Sequence, residues 1–160
     1  MPRSLPPLAD PSAALRAAQL YAGELHSVPE SVRGTLRQVT RVLKSCGIPR
    51  APRGLVELVL AESLNNIVEH AYRGRTDGMI TVTVTLKDRL LRLAICDQGH
   101  PLPGGDLPSG RAAQLDVPRG DLPEGGFGWH LIRSLARQLD YKRTGTVNQL
   151  VITLDLDTLN

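Results

Sequence analysis

The sequence predicts an α+β fold, a two-layer α/β sandwich in which helices cover one face of a mostly antiparallel sheet. Two helical patterns come first, followed by a strand hairpin, a long irregular segment, a third helix and a second hairpin. Strands joined by short turns are antiparallel, and helices packed on one face of such a sheet form an α+β sandwich. The 160 residues fit one domain. We expect residues 1–12 to be disordered and residues 13–160 to form that domain.

The first two helices follow from the spacing of apolar residues. The first begins at Pro29, which a first helical turn accepts, and its pattern stops at Gly47 and Pro49. The second runs from residues 51–53 to Tyr72. Its apolar stripe, at about 100° per residue, consists of Val56, Leu60, Leu64, Ile67 and Ala71. Upstream of both, the alanine-rich residues 13–25 are ambiguous between helix and strand.

The strands are predicted from alternation with a period of two. Apolar and threonine residues alternate over residues 79–86, and a short turn leads to a second strand over residues 90–97. After the irregular segment, a third helix opens at Gly128. Strands over residues 139–144 and 150–156 then flank a turn at residues 145–148.

Composition and charge exclude several classes of function. The net charge is +3 and the pI about 9.2, but the arginines are interleaved with acidic residues and only five aromatic residues are present, so we expect no direct nucleic-acid binding. No apolar stretch is long enough to span a membrane, and the first residues lack the apolar core of a signal peptide, which predicts a cytoplasmic protein. Cys46 and Cys96 lack ligand spacing and are expected to be buried free thiols.

One face of the second helix carries its polar residues. They fall within about 140° of arc at 100° per residue and are Glu62, Asn65, Asn66, Glu69 and His70. A solvated surface is the ordinary interpretation of such a face. The apolar residues upstream on the same face, Leu55, Leu58 and Val59, favour a cavity instead. In a cavity Glu62 can accept a proton and Asn66 can offer an oxygen to Mg²⁺.

The end of the second predicted strand is another candidate. Asp97 continues the apolar row of that strand, so its carboxylate points to the covered face and needs hydrogen-bond donors there. Gly99 lets the chain turn away. A simple β-turn explains the pair, and a carboxylate that accepts a hydrogen bond from an exocyclic amine such as that of adenine explains it equally well.

A glycine cluster precedes the third helix. Gly125, Gly126, Phe127 and Gly128 allow close backbone approach, and a helix N-terminus attracts phosphate. The cluster matches neither the dinucleotide-binding motif nor the P-loop. It ends an irregular segment, about residues 98–126, that is too long for an ordinary connection and is interpreted as a lid. Arg111 and Arg119 in this segment are interpreted as solvated rather than as phosphate ligands.

The three features occur in an order that resembles a known family. ESLNNIVEHAY at residues 62–72 resembles the N-box of the GHKL ATPases, specifically of the anti-sigma factor serine/threonine kinases of the RsbW and SpoIIAB type. DQGHP at residues 97–101 is similar to the first glycine box, and EGGFGWHL at residues 124–131 to the second. The departures are Pro101 for a frequent glycine, Trp129 for a usual leucine, and Asn148 with Gln149 where the family tends to have Gly-Thr.

The resemblance implies a Bergerat, or histidine-kinase-like ATPase, fold that binds ATP between its helices and the lid. Glu62 would be the general base, Asn66 would hold Mg²⁺, and Asp97 would accept a hydrogen bond from the adenine amine. The remaining ATP contacts would be Gly99, Pro101, Gly125, Gly126, Phe127 and Gly128. It also implies that residues 17–25 form a strand.

The implied function is an ATP-dependent serine/threonine protein kinase that acts as an anti-sigma factor. Such a kinase phosphorylates a STAS-domain anti-anti-sigma protein, alternately sequesters a sigma factor, and is expected to be a homodimer. The alternative is a module of the same fold that sequesters its partner without transferring phosphate. The catalytic domain of a two-component histidine kinase is disfavoured, because a single helix precedes the N-box and leaves no room for a phosphoacceptor hairpin.

Overall fold

The structure, a computed structural model, describes residues 17–108 and 126–159, and every structural statement below concerns these residues. The predicted disordered residues 1–12 lie outside the described residues. So does most of the predicted lid, residues 109–125, with Arg111, Arg119 and Gly125. The strands are β1 (Ala18–His26), β2 (Met79–Lys87), β3 (Leu90–Asp97), β4 (Gln138–Thr144) and β5 (Val147–Asp155). The helices are α1 (Pro29–Ser45), α2 (Arg50–Asn66) and α3 (Gly126–Leu135).

The described strands form one antiparallel sheet in the order β1-β2-β3-β5-β4. The helices pack together and against one face of this sheet, with α2 in contact with both α1 and α3. The predicted α+β sandwich is therefore confirmed. β1 is an edge strand of this sheet. The alanine-rich segment, which its sequence left ambiguous between helix and strand, therefore forms the strand that the resemblance implied.

The core lies between the helices and the inner face of the sheet. On β2 the residues Ile80, Val82 and Val84 are fully buried while the alternating threonines face away, as the period of two predicts. The α2 stripe is buried too, apart from half-buried Ala71 at its end. Each fully buried aliphatic side chain stabilises the fold by about 1.5–3 kcal/mol, so the packing of these layers determines the architecture.

The second helix departs from the prediction at its C-terminal end. The α-helix stops at Asn66 and continues as a π-helical turn, Ile67–Ala71, in which the Tyr72 N–H donates to the Ile67 carbonyl at 2.9 Å. Tyr72 is buried, and its hydroxyl donates to the Met79 carbonyl and accepts from the Gln98 N–H. The wider turn is compatible with these tertiary contacts of Tyr72, which hydrophobic spacing does not reveal.

Other boundaries shift by a few residues. α3 begins at Gly126 rather than Gly128, and the last turn contains only residues 145–146, because Gly145 adopts a positive φ of 60° that permits a tight connection. Asn148, predicted in the turn, is consequently part of β5. Both cysteines are free, but Cys46 is exposed and Cys96 half-buried, so their predicted burial was wrong. None of the described helices has the length and apolarity that crossing a membrane requires.

Candidate functional site

Glu62 and Asn66 lie one turn apart on α2, and both are half-buried. The other three residues of the predicted polar face, Asn65, Glu69 and His70, are exposed. Leu58, expected to help enclose a cavity, is 40% exposed. The prediction that the whole polar face lines a cavity was therefore wrong, since only Glu62 and Asn66 are withdrawn from solvent.

The start of α3 packs directly on these two side chains. A Cβ atom added at Gly128 would lie 2.6 Å from Oε2 of Glu62 and 3.8 Å from Nδ2 of Asn66. The absence of a side chain at Gly128 thus permits the close approach of the α3 backbone to the carboxylate. The structure brings the N-box residues and the second glycine box together, including Gly126 as the first residue of α3. The side chain of Phe127 lies outside the described part.

The amide nitrogen of Asn66 is buried and has no hydrogen-bond partner among the residues that the structure describes. Leaving such a group unsatisfied costs about 1–3 kcal/mol, so this N–H donor needs an acceptor outside the described residues, such as a water molecule or a ligand oxygen. The described residues contain no cluster of three or more metal-ligating His, Cys, Asp or Glu side chains. An amide oxygen with a nearby carboxylate nevertheless fits Mg²⁺, which commonly takes one or two protein ligands and the rest from phosphates and water.

Asp97 ends β3 on the covered face, as predicted, and is 6% exposed. Its Oδ1 accepts hydrogen bonds from the Gly99 N–H and from Nδ2 of Asn148, each at 2.8 Å. Burial raises the pKa of this carboxyl, while the donors on Asn148 and Gly99 and the positive charge of Arg143 act in the opposite direction. The turn and the buried acceptor are both present, so the two interpretations of this motif are compatible.

Gly99 joins this strand end to the end of the second helix. A Cβ atom at Gly99 would lie 2.6 Å from both the carbonyl carbon and the oxygen of Ala71, and the His100 N–H donates to that oxygen at 2.8 Å. The first glycine box therefore lies across the π-helical turn that follows Asn66. In this structure the absence of a side chain at Gly99 permits the close approach of the Ala71 backbone.

A surface cavity of about 260 Å³ opens beside the first glycine box. It is lined by Ala71, Tyr72, Arg75, Gln98, Gly99, His100, Pro101 and Arg143. Gly99 and exposed Pro101 belong to the predicted site, whereas Glu62, Asn66 and Asp97 do not line this cavity. It is smaller than the pockets of about 300–1,000 Å³ that usually hold small-molecule ligands, so it represents at most a part of the predicted site.

Sequence reasoning missed Asn148 as a candidate site residue. It lies directly opposite Asp97 in the pairing of β3 with β5, and it is 2% exposed. The available signal was its departure from the family pattern at the start of the last strand. Its contact with Asp97 depends on strand register, which the sequence pattern had left unassigned.

The sheet, the helices on one face and the glycine-framed contact between α2 and α3 define a histidine-kinase-like ATPase fold. A comparison with family models supports the same assignment, because the model of the histidine kinase-like ATPase domain matches residues 25–154. The chain belongs to this family.

The chain is also similar to two named relatives and to one solved structure. The chain is 27% identical over 84 residues to an anti-sigma F factor of Shouchella clausii, a match that covers 52% of this chain and 56% of that protein. It is 33% identical over 102 residues to the serine/threonine-protein kinase BtrW of Bordetella bronchiseptica, covering 63% of this chain and 69% of BtrW.

The solved structure contains the RsbU and RsbW domains of Rv1364c from Mycobacterium tuberculosis. It superposes with a TM-score of 0.56 at 13% identity, covering 84% of this chain and 31% of that one. At this identity the likeness supports the fold alone.

Proposed function

We propose that the chain is an ATP- and Mg²⁺-dependent serine/threonine protein kinase that acts as an anti-sigma factor in a partner-switching system. The observation that carries the proposal is the buried amide nitrogen of Asn66, which has no hydrogen-bond partner among the described residues and lies beside Glu62 and the Gly128 backbone. Membership of the histidine kinase-like ATPase family supports nucleotide binding. The names of the two relatives support kinase and anti-sigma activity.

Each site residue has a role that its surroundings support. The Asn66 amide oxygen holds Mg²⁺, which when bound neutralises charge on the nucleotide phosphates. Backbone N–H groups at the start of α3, at Gly126 and Gly128, donate to the phosphates, because a helix N-terminus favours anions. Asp97 accepts a hydrogen bond from the adenine amine.

Glu62 accepts the proton of the substrate hydroxyl as that oxygen attacks the terminal phosphorus of ATP. The bond from this phosphorus to the bridging oxygen breaks, and ADP leaves. The Glu62 carboxylate is half-buried and adjacent to the α3 backbone, so it lies beside the atoms assigned to phosphate binding. In phosphoryl transfer, catalysis consists mainly of positioning and charge neutralisation, while a carboxylate orients the nucleophile. The position of Glu62 is consistent with a carboxylate that orients the nucleophile while other groups hold the phosphates.

The protein substrate is a STAS-domain anti-anti-sigma protein that supplies a serine or threonine hydroxyl, and the alternative partner is a sigma factor. We propose that the kinase acts as a homodimer in the cytoplasm. The name of one relative, the anti-sigma F factor, supports a sigma factor as partner, and the STAS protein follows from the partner-switching scheme.

The test combines the purified chain, radiolabelled ATP, Mg²⁺ and a STAS-domain protein from the same organism. Glu62→Gln keeps the shape of the side chain and removes the proton acceptor, so label transfer should fall roughly 10²–10⁴-fold while nucleotide binding persists. Binding is read as thermal stabilisation, about 2.7 kcal/mol at 100 times the dissociation constant. Glu69→Gln, at an exposed position in the π-helical turn that follows α2, is the matched control and should leave transfer unchanged.

Two outcomes contradict parts of the proposal. Undiminished transfer by Glu62→Gln rejects Glu62 as the base. A wild-type chain that binds nucleotide and partner but transfers no label is a sequestration module of the same fold.

A further inference from the structure

The last hairpin holds the end of β3 through a cluster of three polar side chains, here called the hairpin clasp and consisting of Tyr141, Arg143 and Asn148. Asn148 is the centre of the clasp. Its Nδ2 donates to Oδ1 of Asp97 at 2.8 Å and to the carbonyl oxygens of Gly99 and His100 at 3.1 and 3.3 Å. Its Oδ1 accepts from the Tyr141 hydroxyl at 2.9 Å and from Nη1 of Arg143 at 2.6 Å.

These contacts fix the orientation of the Asn148 amide. A primary amide has two N–H donors and one oxygen with two lone pairs, and both ends are occupied. An amide flipped by 180° would place its oxygen against three acceptors and its nitrogen against two donors. The donor end of Asn148 is therefore held toward Asp97.

The clasp also holds the backbone that follows Asp97. Arg143 Nη1 donates to the Gly99 carbonyl at 3.1 Å, and the Tyr141 hydroxyl accepts from the Leu102 N–H at 3.0 Å. With the Asn148 bonds, the residues from Gly99 to Leu102 are attached to the hairpin at several points. The first glycine box is consequently fixed from the β4–β5 side as well as from the Ala71 side.

Asp97 gains a defined rotamer from this arrangement. Asn148 and the Gly99 N–H both donate to Oδ1, and no residue in the described ranges donates to Oδ2. The second oxygen keeps its acceptor capacity for a ligand. Because the carboxylate is buried, a donor lost from Oδ1 removes both a rotational restraint and a stabilising interaction for the charged form.

We propose that Asn148 is a positioning residue for base recognition: it fixes Asp97 so that Oδ2 accepts a hydrogen bond from an exocyclic amine of the bound purine. The inference rests on the proposed nucleotide-binding function and adds a residue to it. Asn148 touches Asp97 and the backbone of the first glycine box, and it acts on the ligand through them.

The test compares two nucleotides that differ in that amine, ATP and purine riboside 5′-triphosphate, in titration calorimetry with Mg²⁺. A hydrogen bond to a charged group corresponds to roughly tenfold or more in affinity, so the wild type should bind ATP at least about tenfold more tightly. Asn148→Val removes the donor and should bring the affinity ratio near one. Threonine has the shape of valine but carries a hydroxyl donor, so Asn148→Thr should restore much of the affinity ratio.

A merely structural role of Asn148 predicts equal losses for both nucleotides. Gln149→Ala, on the neighbouring residue of β5, is the control and should keep the wild-type ratio. If Asn148→Val does not fold, Asn148→Ala removes the same donor without the branched side chain.

A folded Val or Ala variant with the wild-type ratio overturns the inference and leaves the kinase proposal intact. If the wild type binds ATP no more tightly than purine riboside 5′-triphosphate, amine recognition by Asp97 and this inference are both overturned. If the wild type binds neither nucleotide, the kinase proposal is overturned as well.

Discussion

Gly99→Ala is expected to destabilise the chain, because the space beside Gly99 is filled by backbone. The added Cβ would lie 2.6 Å from the carbonyl carbon and oxygen of Ala71 and 2.8 Å from its Cβ. Comfortable contacts between such atoms are about 3.5–4.0 Å, so the overlap approaches 1 Å at three atoms. Gly99 does not have a positive φ, and the effect is therefore steric rather than a matter of alanine's backbone preference.

Relief of this overlap requires the backbone of Ala71 or of Gly99 to move. The Ala71 carbonyl accepts the His100 N–H at 2.8 Å, so either movement also strains that hydrogen bond. Overpacking of this kind costs about 1–3 kcal/mol. For a chain of this size each kcal/mol corresponds to about 2–4 °C in Tm, which predicts a fall of roughly 2–12 °C.

The assay is thermal unfolding followed by circular dichroism, with Gly54→Ala as a matched control. Gly54 lies within α2, and a Cβ there would meet no atom within 4 Å. Alanine in a helix interior is more stable than glycine by about 0.5–1 kcal/mol, so the control should raise Tm. A Gly99→Ala variant as stable as the wild type would refute the close approach of the first glycine box to the π-helical turn.

Three further predictions concern the same region. Gly128→Ala should lower the free energy of unfolding by less than about 1 kcal/mol. The added Cβ would lie 2.6 Å from its neighbour, as at Gly99, but that neighbour is Oε2 of the flexible Glu62 side chain. A fall in Tm as large as that of Gly99→Ala contradicts this prediction. The pKa of Asp97 is raised above its ordinary value of 3.8, so the ionised carboxylate costs stability at neutral pH, and the wild type should gain stability relative to Asp97→Asn as pH falls from 7 toward 3.8. Urea unfolding at a series of pH values measures that difference, and a difference independent of pH refutes it. Tyr72→Phe should lower the free energy of unfolding by about 1–3 kcal/mol, the sum for two hydrogen bonds, since the hydroxyl donates to the Met79 carbonyl and accepts the Gln98 N–H. An unchanged urea midpoint argues against these bonds.

The elements that were predictable from the sequence have one face buried. α1, α2, β2 and β3 each bury a periodic set of side chains, and that periodicity is visible in the sequence. β1 was undecidable from composition because it is an edge strand with little burial, and local propensity then favours helix for its alanines. The π-helical turn was missed because tertiary contacts of Tyr72 are not encoded in the spacing of the helix that precedes it.

The candidate site divides in the same way. Glu62, Asn66 and Asp97 were identifiable because each stands at a fixed position in an element whose phase the sequence reveals. Asn148 was not, because its role depends on pairing between strands more than fifty residues apart, and one residue of register slip turns every side chain to the opposite face. Placing Asn148 in a turn hid the contact entirely.

The glycines show why a motif alone does not demonstrate a ligand site. Gly99 lies against the Ala71 backbone and Gly128 against the Glu62 carboxylate, so close packing within the chain accounts for both without any nucleotide. The amide nitrogen of Asn66 has no such explanation, because it is buried beside Gly128 and no described residue accepts its hydrogen bond. Packing of the described residues leaves this donor unsatisfied at a cost of about 1–3 kcal/mol, and an acceptor outside them, such as a water molecule or a ligand oxygen, would remove that cost. Among the described residues, this atom therefore argues more strongly for a bound nucleotide than the glycines that first suggested it.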